Sequence, residues 1–306
     1  MSATAASTAL TATPTALLVT GASGHLGRRV IELLLEQGAG PIVATTRSPA
    51  KLDAFTARGV EVRGADFDDE AGLARAFRGV ERALLISTDA IDRPGRRLTQ
   101  HQRAVRALAA AGVKHVVYTS LPNPVGSLVK IAGDHAGTEA ALAESGLDYT
   151  ILRNNLYTDY LLAGLPDALA SGQWVDARGN GATAYVTRED CARAAAAALI
   201  DRNTSGRRTV DVTGPEALTS GQIAAIISEL AGRTMAHVSV AKDTLIGGMI
   251  EHGLPAPIAE LYASFHASAA RGELSAVTDT VTRLTGRPPQ SVRDFLREHR
   301  AALAAS

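Results

Sequence analysis

Apolar residues gather in short runs at 16–20, 41–46, 60–63, 82–87, 115–119 and 149–153, each followed by polar or turn-forming residues. Between them lie stretches with helical spacing, such as the broad stripe of Val30, Ile31, Leu33, Leu34 and Leu35. Short apolar runs alternating with amphipathic helices predict a parallel sheet covered on both faces. The expected fold is α/β, a Rossmann-type doubly wound parallel sheet whose ligands gather outside the carboxyl ends of its strands. After Arg153 the pattern loosens, with Gly164-Leu165-Pro166, Gly172 and the turn Arg178-Gly179-Asn180-Gly181. A helix over 188–200, a strand over 209–212 and helices over 220–231, 256–270 and 291–303 predict a smaller, mostly helical substrate lobe. The chain thus divides into a tail at 1–15, a dinucleotide-binding domain at 16–153 and a lobe at 154–306, with segments near 183–212 returning to the main sheet.

The first strand-to-helix turn reads Thr20-Gly21-Ala22-Ser23-Gly24-His25-Leu26-Gly27. Glycine there lets the backbone turn tightly and approach a pyrophosphate, whose charge meets the helix N-terminus. Gly21, Ala22, Ser23, Gly24, His25, Leu26 and Gly27 are therefore the expected cofactor cradle. The Gly-x-x-Gly-x-x-Gly spacing departs from the dehydrogenase fingerprint and points toward short-chain dehydrogenase/reductase relatives. The second strand ends in Arg47 with no Asp or Glu at its tip. An NAD binder usually places a carboxylate there for the ribose 2′-hydroxyl, whereas Arg suits the 2′-phosphate of NADPH. Lys51 adds a second cation one turn on.

The third strand leads into Asp66-Phe67, where a carboxylate can accept the adenine amino group and a ring can lie against the base. Asp68 or Asp69 reads better as the N-cap of the helix that carries Leu73. The fourth strand runs out into Ser87-Thr88-Asp89, whose backbone and hydroxyls are placed to contact the ribose on the nicotinamide side. The fifth ends so as to place Tyr118 or Ser120 near the nicotinamide, unless either simply closes the strand with side-chain hydrogen bonds.

Lys+Arg and Asp+Glu are equal at 31 each in 306 residues, so no net field attracts nucleic acid or an anionic membrane. The single cysteine, Cys191, excludes an intrachain disulfide framework and a Cys-rich zinc site. With no Cys/His ligand cluster and one nucleotide cradle, neither metal nor flavin is expected. Residues 1–15 are rich in Ala, Thr and Ser, lack a basic start and an apolar core, and read as a disordered tail rather than a signal peptide. The alanine stretch at 194–198 is too short to span a bilayer. A cytoplasmic protein working on a small molecule is expected, and a homodimer is left open.

Short-chain reductases of ordinary carbonyls protonate the alkoxide with a Tyr whose acidity is raised by a Lys four residues later. Here Tyr118 is followed at that offset by Pro122, Tyr149 by Arg153, Tyr157 by Leu161 and Tyr185 by Glu189. The chemistry must then do without that acid. At this point the chain resembles the NmrA-like atypical short-chain dehydrogenases, and among them the type 2 NAD(P)H:quinone oxidoreductases and triphenylmethane reductases. The likeness covers about residues 16–300. It rests on the glycine turn, Thr46-Arg47-Ser48-Pro49-Ala50-Lys51, Gly64-Ala65-Asp66-Phe67, Leu84-Leu85-Ile86-Ser87, Ala110-Ala111-Gly112-Val113-Lys114 and Tyr118-Thr119-Ser120. It continues in Asp134-His135, Thr138-Glu139, the run from Ser145 to Asn154, and Leu284-Thr285-Gly286-Arg287-Pro288-Pro289.

The resemblance implies NADPH held by the glycine loop and Arg47, with Ser87, Thr88 and Asp89 beside it and Asn154, Asn155, Leu156, Tyr157, Thr158 and Asp159 bordering nicotinamide and substrate. Two departures stand out. Glu139-Ala140 replaces the Glu-Lys frequent in the group, and Asn154-Asn155-Leu156-Tyr157 replaces the Asn-Gly-Trp-Tyr of its quinone reductases. The leading expectation is flavin-independent hydride transfer from NADPH to a quinone or related conjugated aromatic acceptor, with Tyr118, His135, Asn154 and Tyr157 as catalytic candidates. Two rival readings are a tailoring oxidoreductase of aromatic polyketide biosynthesis and a non-catalytic NADP-sensing regulator that binds a protein partner.

Overall fold

A computed structural model describes residues 16–203 and 205–301, so the tail expected at 1–15 lies outside the described residues. The first half alternates β1 (Ala16–Val19), α1 (His25–Glu36), β2 (Ile42–Thr46), α2 (Asp53–Thr56), β3 (Glu61–Gly64), α3 (Glu70–Ala76), β4 (Val80–Leu85), α4 (Arg96–Ala110), β5 (His115–Ser120), α5 (Ala132–Glu144) and β6 (Asp148–Asn154). The second half carries α6 (Leu161–Ser171), β7 (Gln173–Asp176), β8 (Ala182–Thr183), α7 (Arg188–Ile200), β9 (Arg207–Val212), β10 (Leu218–Thr219), α8 (Ser220–Ala231), β11 (Ala236–Ser239), α9 (Lys242–Glu251), α10 (Ala256–Ala270), α11 (Thr280–Thr285) and α12 (Val292–Glu298).

Seven parallel strands form the main sheet in the order β3-β2-β1-β4-β5-β6-β9, so the chain reverses direction across the sheet between β1 and β4. This is the doubly wound architecture, with its ligand crevice at that switch point. Alternate strand residues feed two cores. Leu17, Val19, Val117 and Leu152 pack with Val30, Ile31 and Leu34 of α1 and the alanines of α7. Leu18, Val43, Ala83, Leu85, Val116 and Ile151 pack on the other face with Leu73, Phe77, Val105, Leu108 and Leu142. Ala192, Ala194, Ala195, Ala196 and Ala198 are all fully buried, so α7 lies flush against both the sheet and its neighbour α1 with no bulk to hold it off.

The run expected as a strand over 82–87 ends at Leu85. Ile86, Ser87 and Thr88 leave the ladder because side chains take their amides. Ile86 N–H donates to Thr20 Oγ1 (2.9 Å), Ser87 N–H to Thr119 Oγ1 (3.0 Å) and Thr88 N–H to His101 Nε2 (2.9 Å). The last helix begins as expected behind Ser291, whose hydroxyl accepts from Asp294 N–H (3.0 Å); α12 ends at Glu298, residues 300 and 301 are again helical, and 302–303 of the expected span lie outside the described residues.

In the second half, Leu161, Leu165 and Leu169 of α6 pack with Ile223 and Ile227 of α8 and Val292, Phe295 and Leu296 of α12. Two small sheets, β8 with β10 and β7 with β11, tie these helices to the chain leaving β6. Among the described residues no helix is long and apolar enough to cross a membrane.

Arg82 joins the sheet to α7. Its buried guanidinium donates to the carbonyls of Leu199 (2.6 Å) and Ala198 (3.0 Å), which the end of the helix leaves open. Arg82→Met removes both donors, and unmet buried carbonyls cost about 1–3 kcal/mol each before relaxation. Urea unfolding should show a lower midpoint at an unchanged m-value; an unchanged midpoint would mean that Arg82 is replaceable filler.

Candidate dinucleotide and acceptor site

Gly21 has φ +59°, a conformation that side chains disfavour, and it turns the chain from β1 toward α1. Gly27 answers a second constraint. A Cβ there would stand 2.5 Å from the Gly21 carbonyl oxygen and 2.9 Å from Ala22 Cα, so only glycine lets the first turn of α1 sit against the loop. Gly24 occupies the N-cap without a side-chain cap, and no acidic residue stands in the first turn. Open amides and the positive end of the helix macrodipole thus face the crevice. That is the chemistry a pyrophosphate needs, and the cradle fits it. Arg28 braces the loop by donating to the carbonyls of Ser23 (3.1 Å) and Lys51 (2.6 Å), and the Thr46 hydroxyl bonds that of Ser23 (3.0 Å).

At the tip of β2 the Arg47 guanidinium is two-thirds exposed and lies 4.0 Å from the nearly free carboxylate of Asp89. So exposed a pair is weakly held, and Arg47 is free to turn to a phosphate. Lys51 is also exposed, with its carbonyl engaged by Arg28. Beyond β3, Asp66 is exposed and caps its own turn through Asp68 N–H (2.9 Å). Phe67, expected against the base, is instead 8% exposed and packed into the core with Leu73 and Phe77, because its side chain follows the apolar face that α3 covers. Asp69, not Asp68, is the N-cap of α3, accepting from Gly72 N–H (2.9 Å). Asp68 reaches across to Arg96, Gln100 and Arg103 on α4, and Arg96 is what chiefly lowers its pKa.

The structure draws Tyr118 and His135 into a buried polar cluster behind the β4 exit, at 0% and 3% exposure. Arg97 donates to His135 Nε2 (2.9 Å), so the imidazole proton sits on Nδ1, 2.9 Å from the Tyr118 oxygen. His101 accepts from Thr88 N–H at Nε2 and donates from Nδ1 to Thr138 Oγ1 (2.9 Å), which in turn donates to the Asp134 carbonyl (2.6 Å). Arg97 also donates to the Thr88 carbonyl (2.6 Å). Both ring nitrogens of each histidine are engaged, and the loop of Ser87 and Thr88 is fixed from behind. Burial and the Arg97 charge hold His101 down to about 3 and His135 well below the histidine range, and burial pushes the Tyr118 hydroxyl up. These groups neither gain nor lose protons near neutrality.

This cluster escaped the sequence reading, although a signal existed. Arg97 and His101 stand on the same face of α4 as the core residues Ala104, Val105 and Leu108. A polar residue on a buried stripe needs a partner, and the facing helix supplies one in His135 and Thr138. On the next strand Arg153 forms a two-pronged bond with Glu139 (3.0 and 2.7 Å), whose Oε1 also accepts from the Ser120 hydroxyl (2.7 Å). Glu139 therefore anchors two strand ends.

The chain leaving β6 crosses the sheet edge. Asn155 N–H donates to the Val212 carbonyl (2.9 Å) and its amide to the Leu274 carbonyl (2.9 Å), so Asn155 is a structural clamp. Tyr157 bridges to Val186 and lies under the Arg188 guanidinium, 5.4 Å from its ring centre, while Arg188 is held by Asp159 (2.9 Å). Asn154 is 7% exposed, yet neither its Nδ2 nor its Oδ1 has a hydrogen-bond partner of full geometry. Burial raises the Tyr157 hydroxyl pKa, and the neighbouring Asn154 amide opposes this only in part. Leu156 and Tyr160, on either side of Tyr157, line a cavity of about 910 Å³ between α6, α9 and α10, a size suited to a small molecule. Tyr160 stacks on Tyr157 with ring centres 5.8 Å apart.

Crevice, cradle and cavity together define a dinucleotide-dependent oxidoreductase of the atypical short-chain type. Residues 21–202 match the model of the NAD(P)H-binding family, and the chain belongs to that family. It is 37% identical over 279 residues to quinone oxidoreductase 2 of Escherichia coli, covering 91% of this chain and 96% of that one. The crystal structure of that NADPH-dependent enzyme with NADPH superposes with a TM-score of 0.87 at 36% identity, over 92% of this chain and 99% of the other. The triphenylmethane reductase of Citrobacter sp. complexed with NADP(H) also gives 0.87, at 32% identity over 92% and 99% of the two chains.

The buried histidines set a pH dependence of stability. His101 at about 3 and His115 at about 4 stay neutral in the folded protein, whereas an unfolded histidine takes a proton near pH 6.5. Below about 6.5 the unfolded chain binds protons that the folded chain refuses. Stability therefore falls with pH from there toward the folded values, by up to about 1.4 kcal/mol per pH unit for each histidine. His101→Gln should make the slope of unfolding free energy between pH 6.5 and 5 shallower by about one proton. An unaltered slope would show that His101 is protonated in the fold.

Proposed function

We propose that the protein transfers hydride from NADPH to a quinone or a similarly electron-poor conjugated aromatic acceptor, without flavin. The observation that carries this reading is the buried Asn154 amide. Its Nδ2 donor, beside the Tyr157 hydroxyl, stands at a strand end on the crevice edge, where the carbonyl oxygen of a bound acceptor would take its hydrogen bond. The relatives, named as quinone and triphenylmethane reductases, support the same class.

Residues Gly21 to Gly27 would hold the pyrophosphate, Arg47 and Lys51 the 2′-phosphate, and the fixed loop of Ser87 and Thr88 the nicotinamide side. When bound, NADPH supplies the hydride. The protein's own part is to position and polarise. Asn154 Nδ2 donates to the acceptor oxygen, and the Tyr157 hydroxyl, kept protonated by burial, stands beside it as a second donor. The product anion is an aromatic hydroquinonate, far less basic than an alkoxide, so water can supply its proton and no tyrosine-lysine acid is needed. Tyr118 and His135 act at one remove, fixing the loop that Thr88 belongs to.

Consumption of NADPH with menadione, by protein free of flavin absorbance, tests the reading directly; binding of NADPH without turnover of menadione or polycyclic quinones would overturn it. Asn154→Ala should lower kcat/KM by about five- to a hundredfold, the worth of a lost buried hydrogen bond, with NADPH affinity within a few-fold.

Cofactor choice gives a second test. Charge-assisted hydrogen bonds are worth about 1.5–3 kcal/mol, so Arg47→Ala should weaken NADPH binding by about ten- to a hundredfold and leave NADH nearly unchanged. Equal wild-type affinities for the two cofactors, or equal losses in the variant, would remove Arg47 from the site.

A further inference from the structure

The cavity beside Tyr157 holds a charged group that the hydride-transfer chemistry does not use. Arg178, in the turn after β7, is the one arginine or lysine among the described residues that line it, and is 9% exposed. One of its terminal nitrogens donates to the Tyr185 hydroxyl, and the guanidinium carbon lies 5.3 Å from that ring's centre. Its Nε is buried with no partner. Asp176 is close by, but it does not occupy the guanidinium. Its Oδ1 accepts from the Arg178 backbone N–H (2.8 Å), and its Oδ2 faces His237 Nε2 (3.2 Å). His266, also on the wall, accepts from Ala177 N–H (3.1 Å) at Nδ1. The rest of the wall is largely apolar, with Trp174, Tyr262 and Phe265 supplying flat aromatic surface.

A guanidinium placed among aromatic walls, with most of its donor fork unused, is costly unless something meets it. Water in an apolar cavity meets it poorly, whereas a planar oxyanion matches the fork and makes short charge-assisted bonds. We propose that Arg178 is the anion-recognising residue of the acceptor cavity, and that the acceptors this protein prefers are flat aromatic molecules bearing a carboxylate or other anionic oxygen. The proposal rests on the hydride-transfer reading for the word acceptor, and on the cavity alone for the anion. Burial lowers the Arg178 pKa only to about 10, with Asp176 opposing the shift, so the group is cationic at neutral pH.

The test compares 2-naphthoate with its neutral isostere 2-naphthamide, titrated into the full chain saturated with NADP⁺. Affinity is read by calorimetry and by quenching of Trp174, the chain's single tryptophan and part of the cavity wall. The wild type should bind 2-naphthoate at least about tenfold more tightly, the worth of one charge-assisted hydrogen bond. Arg178→Met should bring it down to the affinity of 2-naphthamide, and Arg178→Lys should keep part of the preference. Equal wild-type affinities for the two ligands overturn the proposal, and so does an equal loss of both in Arg178→Met. If Arg178→Met does not fold, the wild-type pair and Arg178→Lys decide, the latter overturning the proposal if it binds 2-naphthoate as tightly as wild type. None of these measurements needs turnover. A protein that prefers 2-naphthoate but reduces neither menadione nor a naphthoquinone sulfonate would refute the hydride-transfer reading and keep the anion site.

Discussion

The approach of α1 to the β1 exit is the contact on which the cofactor crevice depends. Gly27 lies so close to the Gly21 carbonyl and Ala22 that even a methyl group would collide with backbone, which cannot yield as a side-chain tip can. That contact aims the open amides of the helix into the crevice. It also presses α1 onto the sheet, where Val30, Ile31 and Leu34 complete one of the two cores. Binding geometry and core packing are thus set by the same pair of glycines.

Opposite this loop, the β4 exit is held by a different kind of chemistry. Thr20, Thr119 and His101 take three successive backbone amides that would otherwise continue a strand. Behind them the Arg97, His135, Tyr118 and Thr138 chain satisfies each imidazole nitrogen. A buried polar network is worthwhile only when its members are paired, because the low dielectric that strengthens each bond also magnifies each omission. The two histidines meet that condition while neutral. The crevice therefore has one wall shaped by the absence of side chains and another by side chains standing in for backbone.

Much of this was legible in the sequence because it depends on local pattern. Short apolar runs and helical stripes gave the strand order its raw material, and the glycine turn lies between β1 and α1, with Arg47 at the tip of β2, as the spacing predicts. The misplaced residues share a cause. Tyr118, His135 and Phe67 follow strands and helices whose ends lie at the crevice, but one residue's rotation along a strand turns a side chain from crevice to core. Sequence proximity to a strand tip does not fix that rotation. Arg178 was read as part of a turn, which it is, and its role depends on α10 and Tyr185 folding against it from distant parts of the chain. The substitution of Asn155 and Leu156 for a Gly-Trp pair was visible at once, whereas the clamp that Asn155 forms with Leu274 was not.

Helix α7 runs between two ends with different duties. At its start, Thr187 caps the first turn, Arg188 covers Tyr157, and Val186 bridges to Tyr157. At its finish, Arg82 of the sheet grips the last carbonyls. Its inward face is alanine, which has no rotamers with which to absorb a disturbance. The helix is thus held at both ends, by Arg82 where it meets β4 and by the contacts of Val186 and Arg188 with Tyr157 at its start. A bulkier residue on that alanine face would have to push α7 off the sheet, and the strain would fall on the two ends that hold it, one of them at Tyr157.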